Sequence, residues 1–209
     1  MLAPAALTAI GLALLLLAEW RGWVRLRALG KTAAAGGFVW GGWLAMGSVP
    51  GSLGRAVFAG LCLSMVGDLF LLGRASRHFL LGLGAFLLAH LVYLAGFWSQ
   101  GVSGFAGAGA LLGLIGLGAT VVRWLQPYLE PKLVLPLRAY VVAIVLMVAS
   151  AVGVWERSAW LPLGAVCFMA SDLAVARERF IQADLRNKLW GSPLYFGAQW
   201  MFIFGVLAD

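Results

Sequence analysis

Asp68 and Asp172 are the two acidic residues that lie clearly inside apolar stretches of the sequence, six residues before Arg74 and five residues before Arg177. At about 1.5 Å rise per residue in a helix, both carboxyls are predicted roughly 8–9 Å inside the same boundary. An acid in the middle of a membrane segment costs at least about 2.5–3.5 kcal/mol, and an aspartate is too short to reach the interface over two turns. The pair is therefore a candidate for acid/base chemistry in one shared cavity.

Other polar side chains recur on single predicted helix faces together with these acids. Each of them alone is typical of a core residue whose hydrogen bonds are satisfied, but their coincidence with two intramembrane acids favours a role in orienting the carboxyls or a substrate. The candidates of this kind are Ser64, His90, Tyr93, Tyr140, Tyr195 and Gln199.

Metal and nucleophile chemistry find little support in the sequence. A catalytic zinc needs about three protein ligands, whereas the two histidines, His78 and His90, are about 18 Å apart if one helix carries both. No Gly-x-Ser-x-Gly turn and no phosphate-binding glycine loop occurs. Cys62 and Cys167 lie in apolar segments and are interpreted as buried thiols. We therefore expect no metal site and no cofactor.

The composition requires a membrane around these residues. The chain has 209 residues, of which 63% are hydrophobic and only 11% are charged. A soluble domain carries about 25% charged residues, so a soluble enzyme is excluded. Five stretches contain no Asp, Glu, Lys or Arg, and their lengths suit helices that cross a hydrocarbon core about 30 Å thick. They cover residues 2–18, 32–54, 79–122, 139–155 and 189–208.

The apolar runs predict an all-α, polytopic bundle of eight transmembrane helices in one integral membrane domain, residues 1–209. The first helix is expected to be retained rather than cleaved as a signal peptide, because it lacks a basic start and is followed by Glu19-Trp20-Arg21. The predicted helices cover approximately residues 3–19, 32–49, 55–73, 79–98, 104–125, 134–154, 158–176 and 190–208.

The basic residues indicate orientation. The connections after helices one, three, five and seven hold 13 of the 15 Lys and Arg residues. By the positive-inside rule these connections are cytoplasmic, and both termini lie on the opposite side. The net charge of +7 is therefore read as a topology signal, and no nucleic-acid partner is expected. The Ala-, Leu-, Gly- and Arg-rich composition, with few lysines, favours the inner membrane of a bacterium.

The residues of several helices together resemble the YhhN-like membrane family of lysoplasmalogenases, from about residue 31 to residue 203. Membership implies hydrolysis of the vinyl-ether bond of lysoplasmalogens to a fatty aldehyde and a glycerophospho-ethanolamine or -choline, with the two aspartates as the catalytic pair. The resemblance is carried by Lys31 at the start of helix two, Gly67-Asp68-Leu69, Phe79, Gly82-Leu83, Phe86, His90, Tyr93, Tyr140, Met147, Gly164-Ala165, Phe168, Ser171-Asp172, Phe180, Tyr195 and Gln199.

The carboxyl pair suits that reaction, which needs a proton delivered to carbon and then water to capture the resulting cation. One carboxyl of a poorly hydrated pair can stay protonated while the other is ionised, although the sequence does not say which. The partners expected are a lysophospholipid substrate and membrane lipids. The phosphate of the lysophospholipid is predicted near Lys31, Arg74, Arg138 or Arg177.

Two alternatives remain open at this level. The same aspartates could serve a small proton- or cation-coupled transporter, or the protein could bind lipid without catalysis. The glycine pairs Gly37/Gly41 and Gly109/Gly113 are interpreted as helix packing, with a homodimer seam as the other reading.

Overall fold

Eight α-helices make up nearly all of the chain. The computed structural model describes residues 1–73 and 75–208, and within these ranges it contains no strand. Arg74, predicted to bind phosphate, lies outside the described residues. The helices are α1 (Leu2–Arg21), α2 (Val24–Ser48), α3 (Ser52–Leu71), α4 (Ser76–Trp98), α5 (Gly104–Leu125), α6 (Pro131–Val152), α7 (Trp160–Ala176) and α8 (Leu185–Leu207), with a 3₁₀ turn at Gln126–Tyr128 and a π-helical turn at Arg177–Ile181.

The predicted all-helical fold with eight helices is confirmed. Six helical segments are long and apolar enough to cross a membrane, and they contain α1, α3, α4, α5, α6 and α7. Helices α2 and α8 have 25 and 23 residues, so length does not exclude them as spans. Their glycine, tryptophan and polar residues lower their hydropathy. The chain is an integral membrane protein.

Two helix starts differ from the prediction in a way that matters for the site. Helix α2 begins at Val24 rather than near residue 32, so Lys31 lies two turns inside the helix instead of at its start. Helix α8 begins at Leu185 rather than near residue 190, where the Asp184 carboxylate accepts a hydrogen bond from the Arg186 backbone N–H over 3.0 Å. Charged residues end an apolar run, but Arg and Lys are good helix formers, so the helix continues through them.

The helices pack as consecutive antiparallel pairs, α1 with α2, α3 with α4, and α7 with α8. Helix α8 also contacts α1, α2 and α3, and α4 packs on α6, whereas α5 packs mainly against α6. Aromatic rings fill the interior. Phe168 of α7 lies edge-on to Phe86 at 6.1 Å and to Tyr195 at 5.5 Å between ring centroids, which joins α4, α7 and α8 around the site.

Glycines let α1 and α2 approach until backbone touches backbone. A Cβ placed on Gly30 would lie 2.6 Å from the Leu15 backbone nitrogen, which no side-chain movement can relieve. The predicted packing role of Gly37 and Gly41 fits their contacts, because Gly37 faces Thr8 of α1 and Gly41 faces Trp200 of α8. Gly109 and Gly113 of α5 have open space where a Cβ would go, so the structure gives them no packing partner.

We expect Gly30→Leu to destabilise the bundle, because the new side chain must push α1 away from α2. Overpacking of this kind costs about 1–3 kcal/mol or more. The measurement is the thermal midpoint of the purified protein in detergent. Gly36→Leu, on the same helix with nothing within 4 Å of its Cβ position, is the matched control and should keep the midpoint. Equal midpoints for the two variants would contradict the close contact.

Candidate active site

The Asp68 carboxylate is fixed at both oxygens. Lys31 Nζ of α2 lies 3.0 Å from Oδ1, and the Tyr195 hydroxyl of α8 donates a hydrogen bond of 2.7 Å to Oδ2. The Asp68 side chain is 3% exposed, so its charge depends on these two partners rather than on water. An ammonium and a hydroxyl donor both favour the ionised form of a carboxyl. Asp68 is therefore paired with a cation and a hydroxyl donor and has almost no contact with solvent.

The basic partner of Asp172 is a histidine, whereas that of Asp68 is a lysine. Its Oδ2 lies 3.3 Å from His90 Nε2, without the alignment of a formed hydrogen bond, and the Tyr140 hydroxyl faces the same carboxyl. The other ring nitrogen, Nδ1, lies 2.6 Å from the Phe86 carbonyl oxygen. A carbonyl oxygen only accepts, so Nδ1 carries a hydrogen and Nε2 of the neutral ring does not. A hydrogen bond between Asp172 and His90 then requires one further proton on the pair.

Both aspartates line one cavity of about 570 Å³. Lys31, Tyr140 and Tyr195 line it as well, so five of the predicted site residues meet there. Most of the remaining wall is apolar and comes from α4, α5, α6 and α7. On the side of α5 and α6 the lining residues are Leu114, Leu117, Gly118, Val121, Leu125, Leu137, Val141, Ile144 and Val145. The site thus combines two carboxyls with a wall suited to a hydrocarbon chain.

Ser64, His90, Tyr93 and Gln199 are fully buried and do not line the cavity. The Tyr93 hydroxyl donates to Gln199 Oε1 over 2.7 Å, and Ser64 lies beside the hydroxyls of Tyr93 and Tyr195. These side chains therefore support the groups that face the cavity instead of reaching into it. The sequence predicts that these side chains orient the carboxyls or a substrate, and in the structure they lie buried behind the residues that line the cavity.

At one end of the cavity lies a group of charged residues that sequence analysis did not identify as part of the site. Lys188 Nζ lies 2.8 Å from Glu19 and 3.5 Å from Glu178, and Arg27 lies 4.0 Å from Glu19. Lys188 and Glu19 are separated by 169 residues, so no local spacing could reveal their contact. Their only signal in the sequence is a position near a helix end.

Arg177, a predicted phosphate ligand, is used within the protein. Its Nη1 donates 2.7 Å to Asn187 Oδ1, and the Asn187 amide donates to Glu178 over 3.0 Å and to the Gln182 carbonyl over 2.8 Å. This network fixes the π-helical turn to the start of α8. Arg177 does not line the cavity. Arg138, another predicted phosphate ligand, is exposed on α6 and does not line it either.

The described residues contain no group of three or more His, Cys, Asp or Glu side chains placed to hold a metal ion. Cys62 and Cys167 are free thiols that are partly buried in their helices. The polar groups that face the cavity are carboxyl, ammonium, guanidinium, amide and hydroxyl groups. These groups can donate, accept and stabilise charge, which suits proton transfer.

Because Lys31 neutralises Asp68 inside the bundle, we expect Lys31→Met to lower stability by about 3–5 kcal/mol, the usual cost of leaving one member of a buried ion pair alone. The double variant Lys31→Met/Asp68→Asn removes both charges and should be more stable than Lys31→Met. Thermal unfolding in detergent measures both. Lys132→Met, which breaks an exposed pair with Glu130, should leave the midpoint unchanged. A double variant that is less stable than Lys31→Met would contradict this charge pairing.

Comparison with known proteins identifies relatives of this chain by sequence. The chain is 31% identical over 161 residues to Lysoplasmalogenase of Mycobacterium tuberculosis, covering 73% of this chain and 60% of that protein. It is 30% identical over 171 residues to Lysoplasmalogenase TMEM86B of Homo sapiens, covering 82% of this chain and 70% of the human protein. No solved structure matches the chain significantly. The YhhN family model matches residues 3–206, and the chain therefore belongs to the YhhN family.

Proposed function

We propose that the protein is a lysoplasmalogenase, a hydrolase that cleaves the vinyl-ether bond of a lysophospholipid in the membrane to a fatty aldehyde and a glycerophospho-ethanolamine or -choline. The single observation that carries the proposal is that Asp68 and Asp172 line one cavity with an apolar wall and a charged end. The names of the relatives support the same reaction. Transport through these aspartates, the alternative from the sequence, receives no support from the relatives.

Asp172 is the proton donor of this proposal. The shared proton of its pair with His90 is either on the carboxyl, beside a neutral ring, or on the ring, beside a carboxylate, and the pair is neutral in both cases. Asp172 is 14% exposed toward the cavity while His90 is not exposed, so the carboxyl is the member that reaches substrate. The contact of 3.3 Å is long, as is common for catalytic groups before substrate binds. His90 supports the donor from behind.

Asp68 is the base. Lys31 and Tyr195 hold it ionised, and each carboxylate oxygen keeps a second lone pair that can accept a hydrogen bond from water. One carboxyl on the cavity wall is ionised and acts as base, and the other carries a proton and acts as acid. The two carboxyls of glycoside hydrolases have the same two roles. The physical cause of the difference is the partner of each acid, an ammonium group for Asp68 and an imidazole ring for Asp172.

The reaction proceeds in three steps. Asp172 gives the proton that it shares with His90 to the alkenyl carbon that is not bonded to oxygen. This step leaves an oxocarbenium ion, and the Asp172–His90 pair now carries a negative charge. Water bonds to the cationic carbon while Asp68 takes its proton, giving a hemiacetal. The bond from this carbon to the glycerol oxygen then breaks, as Asp68 protonates that oxygen and the hemiacetal hydroxyl returns its proton to Asp172. One water is consumed and both carboxyls are restored.

The charged end of the cavity is proposed to face the cytoplasm. Glu19, Arg27, Glu178 and Lys188 lie at or near the α1–α2 and α7–α8 connections, where the positive-inside rule predicts the cytoplasmic side. The lysolipid would then come from the inner leaflet, with its alkenyl chain along the α5–α6 wall. The composition favours the inner membrane of a bacterium as the location.

We expect Asp172→Asn and Asp68→Asn each to lower kcat for aldehyde release by about 10²–10⁴-fold, the usual contribution of a positioned acid or base. The assay mixes purified protein with lysoplasmalogen in detergent and measures aldehyde. Glu130→Gln, a change at an exposed carboxyl whose partner is Lys132, is the matched control and should keep wild-type turnover. Near-normal turnover by either aspartate variant would remove that residue from the mechanism, and an inactive wild-type protein would refute the proposed function.

His90→Gln is expected to lower kcat by a smaller factor than Asp172→Asn and to leave KM nearly unchanged, because His90 does not line the cavity. The variant also removes the ring whose hydrogen bond and charge act on the Asp172 carboxyl, so the pH dependence of kcat should change shape. Both are measured with the same aldehyde assay over a range of pH. An unchanged pH profile with a lower kcat would reduce His90 to a packing role.

A further inference from the structure

The π-helical turn after α7 brings a further cation to the cavity. Arg179 lies in this turn and lines the cavity, and its Cζ is 4.6 Å from the centroid of the Phe79 ring. Phe180 packs edge-on against the same ring at 5.6 Å. Glu178 on the other side is fixed by the Asn187 amide and by the backbone N–H of Asp184. The position of Arg179 is therefore set by its neighbours on both sides.

The charges on the cavity wall leave Arg179 without a counterion. Four lining cations face four lining acids. Lys31 pairs with Asp68, Arg27 and Lys188 pair with Glu19 and Glu178, and Asp172 is matched by His90. Among the lining residues that the structure describes, Arg179 is the one cation with no acid in ion-pair contact. With the Asp172–His90 pair neutral, as in the proposed mechanism, one positive charge is left over.

Glu130 is the acid that could compete for Arg179, but it already has a basic partner. Glu130 forms an ion pair of 2.8 Å with Lys132. The pKa of Glu130 is lowered mainly by the hydrogen bond and charge of Lys132, and only to a smaller degree by the charge of Arg179. Arg179 therefore keeps its charge available at the end of the cavity.

The cation–π contact places Arg179 Cζ 4.6 Å from the centroid of the Phe79 ring. A guanidinium in such a contact still has N–H donors in its plane that can match two oxygens of a phosphate. Arg179 follows Asp172 by seven residues, about 10 Å along a helix axis. A glycerophosphate backbone and an arginine side chain together bridge such a distance.

We propose that Arg179 binds the phosphate of the lysophospholipid and so sets the depth at which the alkenyl bond meets Asp172. This inference rests on the proposed function for its ligand. A phosphodiester carries one negative charge, which equals the charge left unpaired on the cavity wall. Neither Lys31 nor Arg177 serves here, since Asp68 and Asn187 occupy them.

A binding experiment tests the proposal without turnover. Wild type, Arg179→Gln, Arg179→Lys and Arg138→Gln are titrated in detergent with a saturated 1-O-alkyl-glycerophosphoethanolamine, which cannot be hydrolysed, and with the alkylglycerol of the same chain. Loss of one charge-assisted phosphate contact should raise the Kd of Arg179→Gln for the phospholipid about 10- to 100-fold and leave its Kd for the alkylglycerol unchanged. Arg179→Lys should recover part of the loss, and Arg138→Gln should bind as wild type.

Each outcome of this experiment either supports or overturns the proposed role of Arg179. Equal loss of both ligands in Arg179→Gln, equal loss in Arg138→Gln, or wild-type protein that does not prefer the phospholipid would overturn the proposal. Inorganic phosphate is the third ligand, and binding of it as tight as that of the phospholipid would assign the site to free phosphate instead. Aldehyde release by wild type is measured separately, so a failure of the proposed function is distinguished from a failure of this inference.

Discussion

The contact between Lys31 and Asp68 is the constraint on which the rest of this structure depends. A carboxylate in the interior of an apolar bundle is stable only if a cation meets it, and the nearest cation comes from another helix. That requirement fixes the rotation of α2 relative to α3, and the Tyr195 hydroxyl adds α8 to the same point. The close approach of α1 and α2 through glycine holds the lysine-bearing helix in place.

The difference between the two acids follows from this arrangement. Asp68 is paired with the ammonium group of Lys31, while Asp172 faces the imidazole ring of His90. Two chemically identical side chains therefore differ because of the groups that face them. Phe168 packs against both His90 and Tyr195, so the partners of the two acids lie in an apolar interior where polar contacts are stronger than at a surface.

The sequence was sufficient for the helices and for the residues that belong together. Long uncharged stretches predicted eight helices, and the two aspartates within apolar segments predicted a shared cavity. Both predictions follow from the free-energy cost of placing polar groups in hydrocarbon. The sequence could not separate lining residues from supporting ones, since His90 and Tyr140 both lie on predicted polar faces but at different depths. It also missed Arg179, because a π turn shifts the register by one residue and no periodic pattern anticipates that shift.

The loose attachment of α5 affects how substrate concentration must be expressed. This helix lines the cavity yet packs mainly against α6, and of its 22 residues only Gly107, Gly118 and Leu125 are buried. The cavity is thus separated from the outer face of α5 by this one helix. If the protein hydrolyses a lysolipid as proposed, the bilayer itself is the solvent of the reaction, and occupancy is governed by the mole fraction of lysolipid among its neighbours. Diluting the substrate with inert lipid at constant bulk molarity would lower saturation accordingly.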